Sequence, residues 1–330
     1  MKQKVLITGA SGFVGFHLIE AALEKGLEVY AGIRKSSDIK HLASYNIQYT
    51  YPDFNSVDSL TKDLNEKKYD FIIHAAGTTK AKNQEEYNKI NAQYTINLAN
   101  AVLESGIELK KIVYISSLAA LGPLSEVGNL ISELTSPKPV TAYGKSKLLA
   151  EELLKEKNLP LVVLRPTAVY GSRDKDIFII LKTFYQGFEP YIGNKSQQLS
   201  FVYVKDLAAV SVNALFSNTE ANGSYNITDG NNYDRYEMAN ISKDVLNKKT
   251  LKFHLPMPFV KLLALILEKT YGFLNKTPAL NREKLAELTA SNWCCDIEKA
   301  KKNLSFQPKY DLRKGLTEAL GWYKAEKWLN

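Results

Sequence analysis

The amino-acid sequence predicts an α/β protein, in which a doubly wound parallel sheet carries helices on both faces and a smaller, mostly C-terminal lobe follows it. Three observations support this fold class. Apolar strand segments alternate with helical ones through the first half of the chain, three glycines directly follow the first strand, and the pattern becomes irregular after residue 172. Alternation of this kind is typical of βα units that build a parallel sheet.

Short apolar segments rich in β-branched residues predict the strands. They cover residues 5–8, 29–33, 47–51, 71–75, 112–116 and 161–164. Helical spacing of apolar residues fills most of the intervals, most clearly over residues 85–105 and 142–157. The chain has 330 residues, which is more than one hydrophobic core usually supports. We therefore expect residues 1–172 to form the sheet domain, with return segments near 201–228, and residues 173–200 and 229–330 to form the lobe.

Composition excludes several classes of protein. Hydrophobic residues make up 45% and charged residues 24% of the chain, as in soluble globular proteins. The net charge of +8 comes with lysines scattered along helices rather than gathered with aromatic residues, so no nucleic-acid partner is expected. Met1 leads straight into the first strand without a signal peptide, and the longest apolar run, residues 262–267, is too short to cross a bilayer, which together predict a cytoplasmic protein. Cys294 and Cys295 are adjacent and lack further ligands, so no metal site or disulfide framework is expected.

The stretch after the first strand is suited to binding an anion. Gly9, Gly12 and Gly15 follow Thr8, and apolar helical spacing begins at Phe13. A strand, a glycine turn and a helix N-terminus present outward-pointing amides and a favourable dipole, and glycines let a pyrophosphate approach the backbone. The spacing GxxGxxG differs from the GxGxxG of the general dinucleotide fingerprint. An ordinary turn that needs glycine only for its backbone angles is the competing interpretation.

Tyr143 and Lys147 lie four residues apart on a predicted helix, so their side chains leave the same face about 5–6 Å apart at Cβ. A free tyrosine, with a pKa of about 10, exchanges protons poorly at neutral pH. A neighbouring ammonium favours the phenolate, and we expect it to lower that pKa. Taken alone, such a pair is most often a solvated helix face. The glycine loop upstream favours a role in proton transfer instead.

Six segments in a fixed order carry a resemblance to a known family. They are residues 8–15 (TGASGFVG), 74–77 (HAAG), 114–117 (YISS), 143–147 (YGKSK), 165–171 (RPTAVYG) and 201–207 (FVYVKDL). With them, the chain resembles the extended short-chain dehydrogenase/reductases, the group that includes nucleotide-sugar epimerases and dehydratases. A weaker resemblance continues to about residue 325. The resemblance implies a Rossmann-type sheet domain, a substrate-binding lobe and an NAD(P)(H)-dependent enzyme that acts on a small molecule.

The resemblance also implies a cofactor site at the carboxyl ends of the strands. Its expected members are Gly9, Ser11, Gly12, Phe13, Val14, Gly15, Arg34, Lys35, Asp53, Phe54, Ala75, Ala76, Gly77, Asn91, Tyr143, Lys147, Pro166 and Thr167. Asp53 and Phe54 match the family position near the adenine. For Asn91, a buried amide inside a helix is the competing interpretation.

The end of the second strand distinguishes the two nicotinamide cofactors. NAD sites end this strand with an acidic residue that binds the ribose 2′-hydroxyl, whereas NADP sites place arginine near the 2′-phosphate. Here Arg34 and Lys35 follow the strand, and no carboxylate precedes Asp38. A guanidinium binds a phosphate dianion through two hydrogen bonds. NADP(H) is therefore the preferred cofactor, with NAD(H) as the alternative; a solvated basic turn is the competing structural interpretation.

A catalytic triad of Ser117, Tyr143 and Lys147 follows from the resemblance. Tyr143 is expected to act as general acid and base, and Lys147 to lower its pKa and hold the nicotinamide ribose. Ser117 is expected to bind the substrate oxygen, whereas its neighbour Ser116 is interpreted as a strand-end hydroxyl bonded to backbone. His74 is interpreted as a core histidine with satisfied hydrogen bonds. Residues expected to contact the substrate are Thr78, Lys80, Ser117, Tyr170 and Arg173.

The substrate class is left open by the sequence. Nucleotide-sugar epimerases usually carry an arginine–aspartate pair where this chain has Leu199 and Ser200, and they normally retain NAD(H), so the resemblance favours an NADP(H)-dependent oxidoreductase acting at a secondary alcohol or carbonyl. A nucleotide-sugar epimerase or dehydratase and a non-catalytic NADP(H)-sensing regulatory protein are the alternatives. The apolar residues 259–267 have three interpretations: a hydrophobic substrate pocket, a membrane contact or a helix packed in the lobe. A homodimer through the helices at 85–105 and 142–157 is also expected, although packing against the sheet explains the same spacing.

Overall fold

The computed structural model describes residues 2–218, 223–273 and 281–329. The strands are, in chain order, β1 Lys4–Thr8, β2 Glu28–Gly32, β3 Gln48–Thr50, β4 Phe71–His74, β5 Lys111–Ile115, β6 Leu161–Pro166, β7 Ala168–Tyr170, β8 Phe188–Ile192, β9 Gln198–Leu199, β10 Phe201–Tyr203, β11 Gly223–Ile227, β12 Tyr233–Asp234 and β13 Leu251–Leu255. The α-helices are α1 Phe13–Glu24, α2 Val57–Lys67, α3 Gln84–Asn88, α4 Tyr94–Ser105, α5 Ala142–Lys155, α6 Asp176–Tyr185, α7 Val204–Ala214, α8 Glu237–Leu246, α9 Met257–Phe273, α10 Arg282–Thr289, α11 Glu298–Leu304 and α12 Leu312–Ala325. Single 3₁₀ turns cover Lys40–Leu42 and Leu118–Ala120, and a π-helical turn covers Lys89–Gln93.

The central feature is a seven-stranded parallel sheet in the order β11-β6-β5-β4-β1-β2-β3. The chain runs outward from β1 through β2 and β3, then returns to pair β4 with the other edge of β1. In such sheets, ligands bind beyond the carboxyl ends of the strands at this reversal of order. The predicted Rossmann-type sheet is therefore confirmed. The segment that returns near residues 201–228 contributes β11 as a seventh strand.

Both faces of the sheet are covered by helices. Along β1, Val5 and Ile7 point into one hydrophobic cluster and Leu6 into the other, as the two-residue period of a strand requires. Helices α1 and α7 pack together on the first face, while α2, α4 and α5 cover the second. Leu98 and Val102 of α4 are buried in the second cluster. Their helical spacing, which also fits a dimer interface, is therefore explained within one chain.

The helix expected over residues 85–105 is interrupted by the π-helical turn Lys89–Gln93. Asn91 lies in this turn with its side chain fully buried. Turns of this kind widen a helix by one residue and often occur at functional sites. Here the wide turn places the amide of Asn91 against the loop that follows β4, as described below.

A third hydrophobic cluster lies outside the sheet and joins α6, α8 and α12 with residues of β8 and β10. We call β8, β9, β12, β13, α6, α8, α9, α10 and α12 the lobe. One helix differs from the predicted division of the chain. Ala300 and Leu304 of α11, with Ile297 and Phe306 beside it, pack into the cluster on the first face of the sheet. The chain therefore returns to the sheet near residue 300 before its last helix joins the lobe.

Three further features concern membrane-spanning helices, metal sites and the two cysteines. Within the described residues, no helix combines the length and the apolar character needed to cross a bilayer. Across the same residues, no group of three or more His, Cys, Asp or Glu side chains is arranged to hold a metal ion. Cys294 and Cys295 are free thiols, and both are buried.

Candidate active site

The glycine loop is built for close backbone approach. Gly9 has φ of 69°, and a methyl group placed on it would lie 2.7 Å from the carbonyl oxygen of Ala75. A methyl group on Gly15 would lie 2.2 Å from the carbonyl oxygen of Gly9. Gly12 precedes α1 as its N-cap residue and supplies no side-chain cap. The first amides of α1 therefore remain free of a side-chain partner, which leaves them to bind an anion.

A hydrogen-bond chain fixes the strand ends beside this loop. The Ala76 N–H donates to Thr8 Oγ1 at 3.1 Å, and Thr8 Oγ1 lies 2.7 Å from His74 Nδ1. His74 Nε2 lies 3.0 Å from Thr95 Oγ1, which donates to the carbonyl of Asn91. Burial, with the Lys147 charge nearby, lowers the pKa of His74 to about 3, so the ring is neutral and donates through Nε2. His74 is thus a structural core histidine, as interpreted from the sequence.

The loop after β4 is held by Asn91. Its Oδ1 accepts from the Thr78 N–H at 2.8 Å, and its Nδ2 donates to the Thr78 carbonyl at 3.0 Å and to Ser146 Oγ at 2.9 Å. Gly77 lies between this amide and Lys147, since a methyl group on Gly77 would lie 3.0 Å from Asn91 Oδ1 and 3.5 Å from Lys147 Nζ. Asn91 is therefore a positioning residue that joins the β4 loop to α5.

The two adjacent serines after β5 have different environments. Ser116 is buried, and its hydroxyl donates to the carboxylate of Glu151 on α5. Arg165 completes this buried network, with Nε 3.1 Å and 3.0 Å from the two carboxylate oxygens. Ser117 is partly exposed, and its Oγ accepts from the Ala119 N–H at 3.2 Å and lies close enough to Tyr143 to affect the pKa of the phenol. The structure therefore brings Ser117, and not Ser116, together with Tyr143.

The electrostatics of Tyr143 differ from the expectation. Burial raises the pKa of Tyr143 to about 12, and the hydrogen bond from Ser117 lowers it only in part. Lys147 is not among the groups that shift this pKa. Its ammonium donates to the carbonyl of Ile115 at 2.9 Å and lies 3.4 Å from Tyr114 Oη. Burial lowers the pKa of Lys147 to about 8, against the opposing effect of Glu151. The expected lowering of the Tyr143 pKa by Lys147 is thus wrong for this state of the protein.

Helix α10 of the lobe adds acidic groups that were not anticipated from the sequence. Glu283 Oε2 accepts from the Ala142 N–H at 2.7 Å and so caps the first turn of α5. The charge of Glu287 raises the pKa of Tyr143 further. The ring of Tyr87 packs edge-on against Tyr143, with centroids 6.3 Å apart. No motif marks these contacts, because the elements involved lie more than fifty residues apart in the chain.

The end of β2 presents free positive charge. Arg34 and Lys35 are exposed, and neither forms an ion pair with any residue that the structure describes. The loop is shaped by Ser37, whose Oγ accepts from the Arg34 N–H at 3.2 Å and whose N–H donates to the Arg34 carbonyl at 2.9 Å. His41 lies next to the backbone of Ser11, and burial followed by the charge of Arg173 lowers its pKa. This basic loop therefore borders the glycine loop.

Other expected cofactor residues lie around the same edge. Thr167 follows β6, and its Oγ1 is buried without a hydrogen-bond partner. Asp53 is exposed and uses one carboxylate oxygen to accept from the N–H and the side chain of Asn55. Phe54 stacks on Tyr94 with centroids 6.0 Å apart. The crowded glycines, the free amides of α1 and the unpartnered Thr167 hydroxyl fit a dinucleotide along this edge.

Three residues expected to contact the substrate have protein partners in this structure. Tyr170 is 1% exposed, packs in the lobe cluster, and donates to the carbonyl of Asp311 at 3.2 Å. Arg173 stacks over the ring of Phe16, with its guanidinium carbon 4.1 Å from the centroid, and so belongs to the α1 side. Lys80 is exposed and pairs with Asp176 of α6 at 2.9 Å.

Thr78 also lacks a free hydroxyl. Its Oγ1 donates to the carbonyl of Lys80 at 2.7 Å, which closes a local turn. The sequence could not anticipate these outcomes for Thr78, Lys80, Tyr170 and Arg173, because each is decided by a partner in a distant segment or by the local turn geometry. Of the expected substrate residues, Ser117 is the one that the structure places beside Tyr143.

A separate cavity of about 740 Å³ lies on the other side of α10. Its walls come from the end of β8, from α9 and from α10. The lining residues are Ile192, Gly193, Asn194, Lys195, Gln197, Arg235, Met257, Lys261, Leu262, Leu265, Arg282, Leu285, Ala286 and Thr289. The apolar segment at residues 259–267 therefore contributes to a pocket wall, which was one of its three interpretations.

Comparison with known proteins gives the family. The profile described as "NAD dependent epimerase/dehydratase family" matches residues 5–228, and the chain belongs to this family of NAD-dependent enzymes. Sterol-4-alpha-carboxylate 3-dehydrogenase, decarboxylating, from Candida albicans is 28% identical over 347 residues, covering 97% of this chain and 97% of that protein. UDP-glucose 4-epimerase from Vibrio cholerae is 25% identical over 332 residues, covering 96% and 94%. The structure of UDP-glucose 4-epimerase from Thermotoga maritima with UDP-glucose shares the fold, with a TM-score of 0.80 over 98% of this chain and 100% of that one at 19% identity.

Proposed function

We propose that this protein is an NADP(H)-dependent oxidoreductase that transfers a hydride at a secondary alcohol or carbonyl, with Ser117, Tyr143 and Lys147 as its catalytic residues. The observation that carries the proposal is the position of the Ser117 hydroxyl beside the half-buried phenol of Tyr143, one helical turn before Lys147, at the carboxyl end of β5. A proton donor, a hydrogen-bond donor and an ammonium near the edge that fits the cofactor support this proposal.

The raised pKa of Tyr143 determines the protonation state of the phenol before the reaction. With a pKa of about 12, the phenol is protonated at neutral pH and is ready to donate a proton to a carbonyl oxygen during reduction. Ser117 steadies the negative charge that develops on the same oxygen. In oxidation, the deprotonated phenolate form of Tyr143 accepts the proton of the alcohol. A bound nicotinamide supplies the hydride donor or acceptor, and the residues that would hold it are those of the glycine loop, Thr167 and Lys147.

The basic end of β2 supports NADP(H) over NAD(H). Arg34 and Lys35 are exposed and have no carboxylate partner among the described residues, so they are available to a 2′-phosphate. Ser37 holds the loop in a tight turn beneath them. The family is named for NAD, so this preference distinguishes the chain from relatives that use the unphosphorylated cofactor.

The lobe supports an apolar substrate over a nucleotide sugar. Ser200 is buried and donates to the carbonyl of Trp293 at 2.7 Å, and Leu199 packs against the lobe cluster. Neither side chain therefore offers a polar group to a diphosphate. The relative from Candida albicans, named as a dehydrogenase of a sterol carboxylate, supports the same substrate class. The relative from Vibrio cholerae, named as an epimerase, is the reason to keep nucleotide-sugar epimerisation as the second candidate.

One assay separates these candidates. The purified protein is incubated with NADPH and either apolar ketones or nucleotide sugars, while nicotinamide absorbance and product formation are followed together. The proposed oxidoreductase consumes NADPH with a ketone, and Tyr143→Phe lowers the rate by about 10²–10⁴-fold. Tyr87→Phe is the matched control, because it removes a neighbouring phenol hydroxyl that donates to the Thr79 carbonyl instead.

Each other outcome identifies an alternative. Conversion of a nucleotide sugar with no net change in absorbance indicates an epimerase or dehydratase. Tight NADPH binding with no turnover on either panel indicates the regulatory, non-catalytic protein. Equal losses in the two tyrosine variants contradict the assigned role of Tyr143. A homodimer also remains part of the proposal, and a monomer in sedimentation at micromolar concentration contradicts it.

A further inference from the structure

The cavity beside α10 carries positive charge that the proposed hydride chemistry does not use. Four cationic residues line it: Lys195, Arg235, Lys261 and Arg282. Among the lining residues that the structure describes, there is no Asp or Glu. Arg282 pairs with Glu268 at 3.3 Å, whereas the other three form no ion pair within the described chain. The cavity therefore has a net positive lining.

Arg235 is the fixed part of this charge. Its Nη1 donates to the carbonyl of Lys195 at 2.7 Å and its Nη2 to the carbonyl of Ile192 at 2.9 Å. Its Nε is buried without a partner. Because neutral carbonyls accept these hydrogen bonds, the charge of the guanidinium is not neutralised. The same bonds hold the loop at residues 192–195 as one wall of the cavity.

The rest of the lining is apolar. Met257, Leu262 and Leu265 come from α9, and Leu285 and Ala286 come from α10. A volume of about 740 Å³ is within the usual range for sites that bind an organic ligand. An aliphatic lining of this size stabilises an apolar body, while the cations stabilise a negative charge on it.

Helix α10 separates this cavity from the candidate active site and sorts charge between them. Residues 282, 285, 286 and 289 recur at helical spacing and face the cavity. Glu283 and Glu287 lie on another face, where Glu283 contacts Ala142 and the charge of Glu287 acts on Tyr143. An anionic group is therefore repelled from the Tyr143 side of α10 and attracted to the cavity side.

We propose that the cavity is a binding site for an amphiphile with an extended apolar body and a single anionic group. The apolar body lies against the side chains of α9 and α10, and the anionic group lies among Lys195, Arg235 and Lys261. This site is distinct from the residues to which the proposed function assigns hydride transfer.

Calorimetric titration of the full chain tests this proposal directly. The probes are decanoate and decanamide, which share an alkyl chain and differ in charge. We expect decanoate to bind with one-to-one stoichiometry and decanamide to bind about tenfold more weakly, the effect of one charge-assisted hydrogen bond. The double variant Lys195→Gln/Lys261→Gln, at two exposed positions, is expected to lose this difference without weakening decanamide. Lys301→Gln, on α11 and paired with Glu298, is the matched control and leaves both affinities unchanged.

Two further measurements complete the test: a variant whose larger side chain fills the cavity, and binding of the protein to lipid vesicles. Ala286→Trp is expected to block both probes while NADPH affinity is retained. Equal affinity for the two probes, or decanoate binding that survives Ala286→Trp, overturns the proposal. Binding to phosphatidylglycerol vesicles without saturable decanoate binding also overturns it, and assigns the exposed side chains Phe259, Leu262, Leu263 and Ile266 of α9 to a membrane surface. Decanoate binding as expected, with no turnover of any carbonyl, retains this inference and rejects the proposed function instead.

Discussion

The two sides of the candidate active site handle charge in opposite ways. On the sheet side, Glu151 and Arg165 are buried and bonded to each other, and Lys147 is held by a backbone carbonyl. On the lobe side, Lys195, Arg235 and Lys261 of the cavity form no ion pair within the described residues, and apolar side chains of α9 stay exposed. The sheet side is therefore fixed before any ligand arrives, whereas the lobe side has groups that a ligand still has to partner.

The difference indicates a division of labour. Proton transfer needs donors held within a few tenths of an ångström, which a buried network on rigid strands and one helix supplies. Substrate recognition in this family varies between relatives named for sterols and for nucleotide sugars. Surface side chains of the lobe can differ between relatives without disturbing the buried network that positions Tyr143 and Lys147. Four experiments can break or sharpen this comparison, and they follow in order of expected effect.

The largest effect concerns the buried ion pair of the sheet side. Arg165→Met removes the partner of Glu151 and leaves a buried carboxylate without compensation. We expect the free energy of unfolding to fall by about 3–5 kcal/mol, measured by urea denaturation. The matched control on the lobe side is Arg313→Met, whose pair with Asp244 is 57% and 64% exposed. There we expect a change of about 0–1 kcal/mol, and similar losses in both variants contradict the contrast between the two sides.

The second experiment compares two adjacent serines. Ser117→Ala removes the hydroxyl beside Tyr143, so kcat is expected to fall by about 10²–10³-fold with little change in stability. Ser116→Ala removes the hydroxyl that bonds Glu151, so the free energy of unfolding is expected to fall by about 1–3 kcal/mol while kcat changes little. Steady-state kinetics and urea denaturation on both variants check this. An equal loss of kcat in both rejects the assignment of Ser117.

The third experiment concerns the basic loop after β2. Arg34→Ala is expected to weaken NADPH binding about 10- to 100-fold, because one bidentate contact to the 2′-phosphate is lost. Binding of NADH, which lacks that phosphate, is expected to remain unchanged. Titration of nicotinamide fluorescence measures both. Arg313→Ala is a control for the loss of an exposed arginine elsewhere. If the unmodified protein binds NADH as tightly as NADPH, the cofactor preference is wrong.

The contrast between the sheet side and the lobe side also explains which features the sequence predicts. The glycine loop, the β5 serine pair and the Tyr143–Lys147 spacing are local patterns, and the structure brings them to one edge of the sheet. The acidic wall formed by Glu283 and Glu287 could not be predicted, since it depends on how α10 packs against α5.

The structure differs from the expectations for Tyr170 and for the pKa of Tyr143 for a related reason. Tyr170 follows a family motif, yet the carbonyl that accepts its hydroxyl comes from residue 311. The four-residue spacing puts Lys147 on the same helix face as Tyr143, whereas the carbonyl of Ile115 decides the direction of its ammonium. Spacing along a helix predicts which side chains share a face, and the neighbouring strand decides where each polar end points.

The smallest effect tests the contact between the two sides. Glu287 on the lobe raises the pKa of Tyr143, which is about 12. Glu287→Gln removes that charge, so the Tyr143 pKa is expected to fall by less than about one unit. Reduction requires the protonated phenol, so its rate is constant below this pKa and declines above it. The alkaline decline of kcat/KM for reduction is therefore expected to begin at lower pH in the variant, while oxidation at pH 9 becomes faster.

Glu283→Gln on the same helix is the matched control. Its amide oxygen still accepts from the Ala142 N–H, and Glu283 does not contribute to the pKa of Tyr143. We therefore expect its pH profile to overlay that of the unmodified protein. A shift in both profiles assigns the effect to the packing of α10 rather than to the charge of Glu287. A shift toward higher pH in Glu287→Gln contradicts the sign of the interaction, and with it the view that the lobe sets the proton affinity of a residue held by the sheet side.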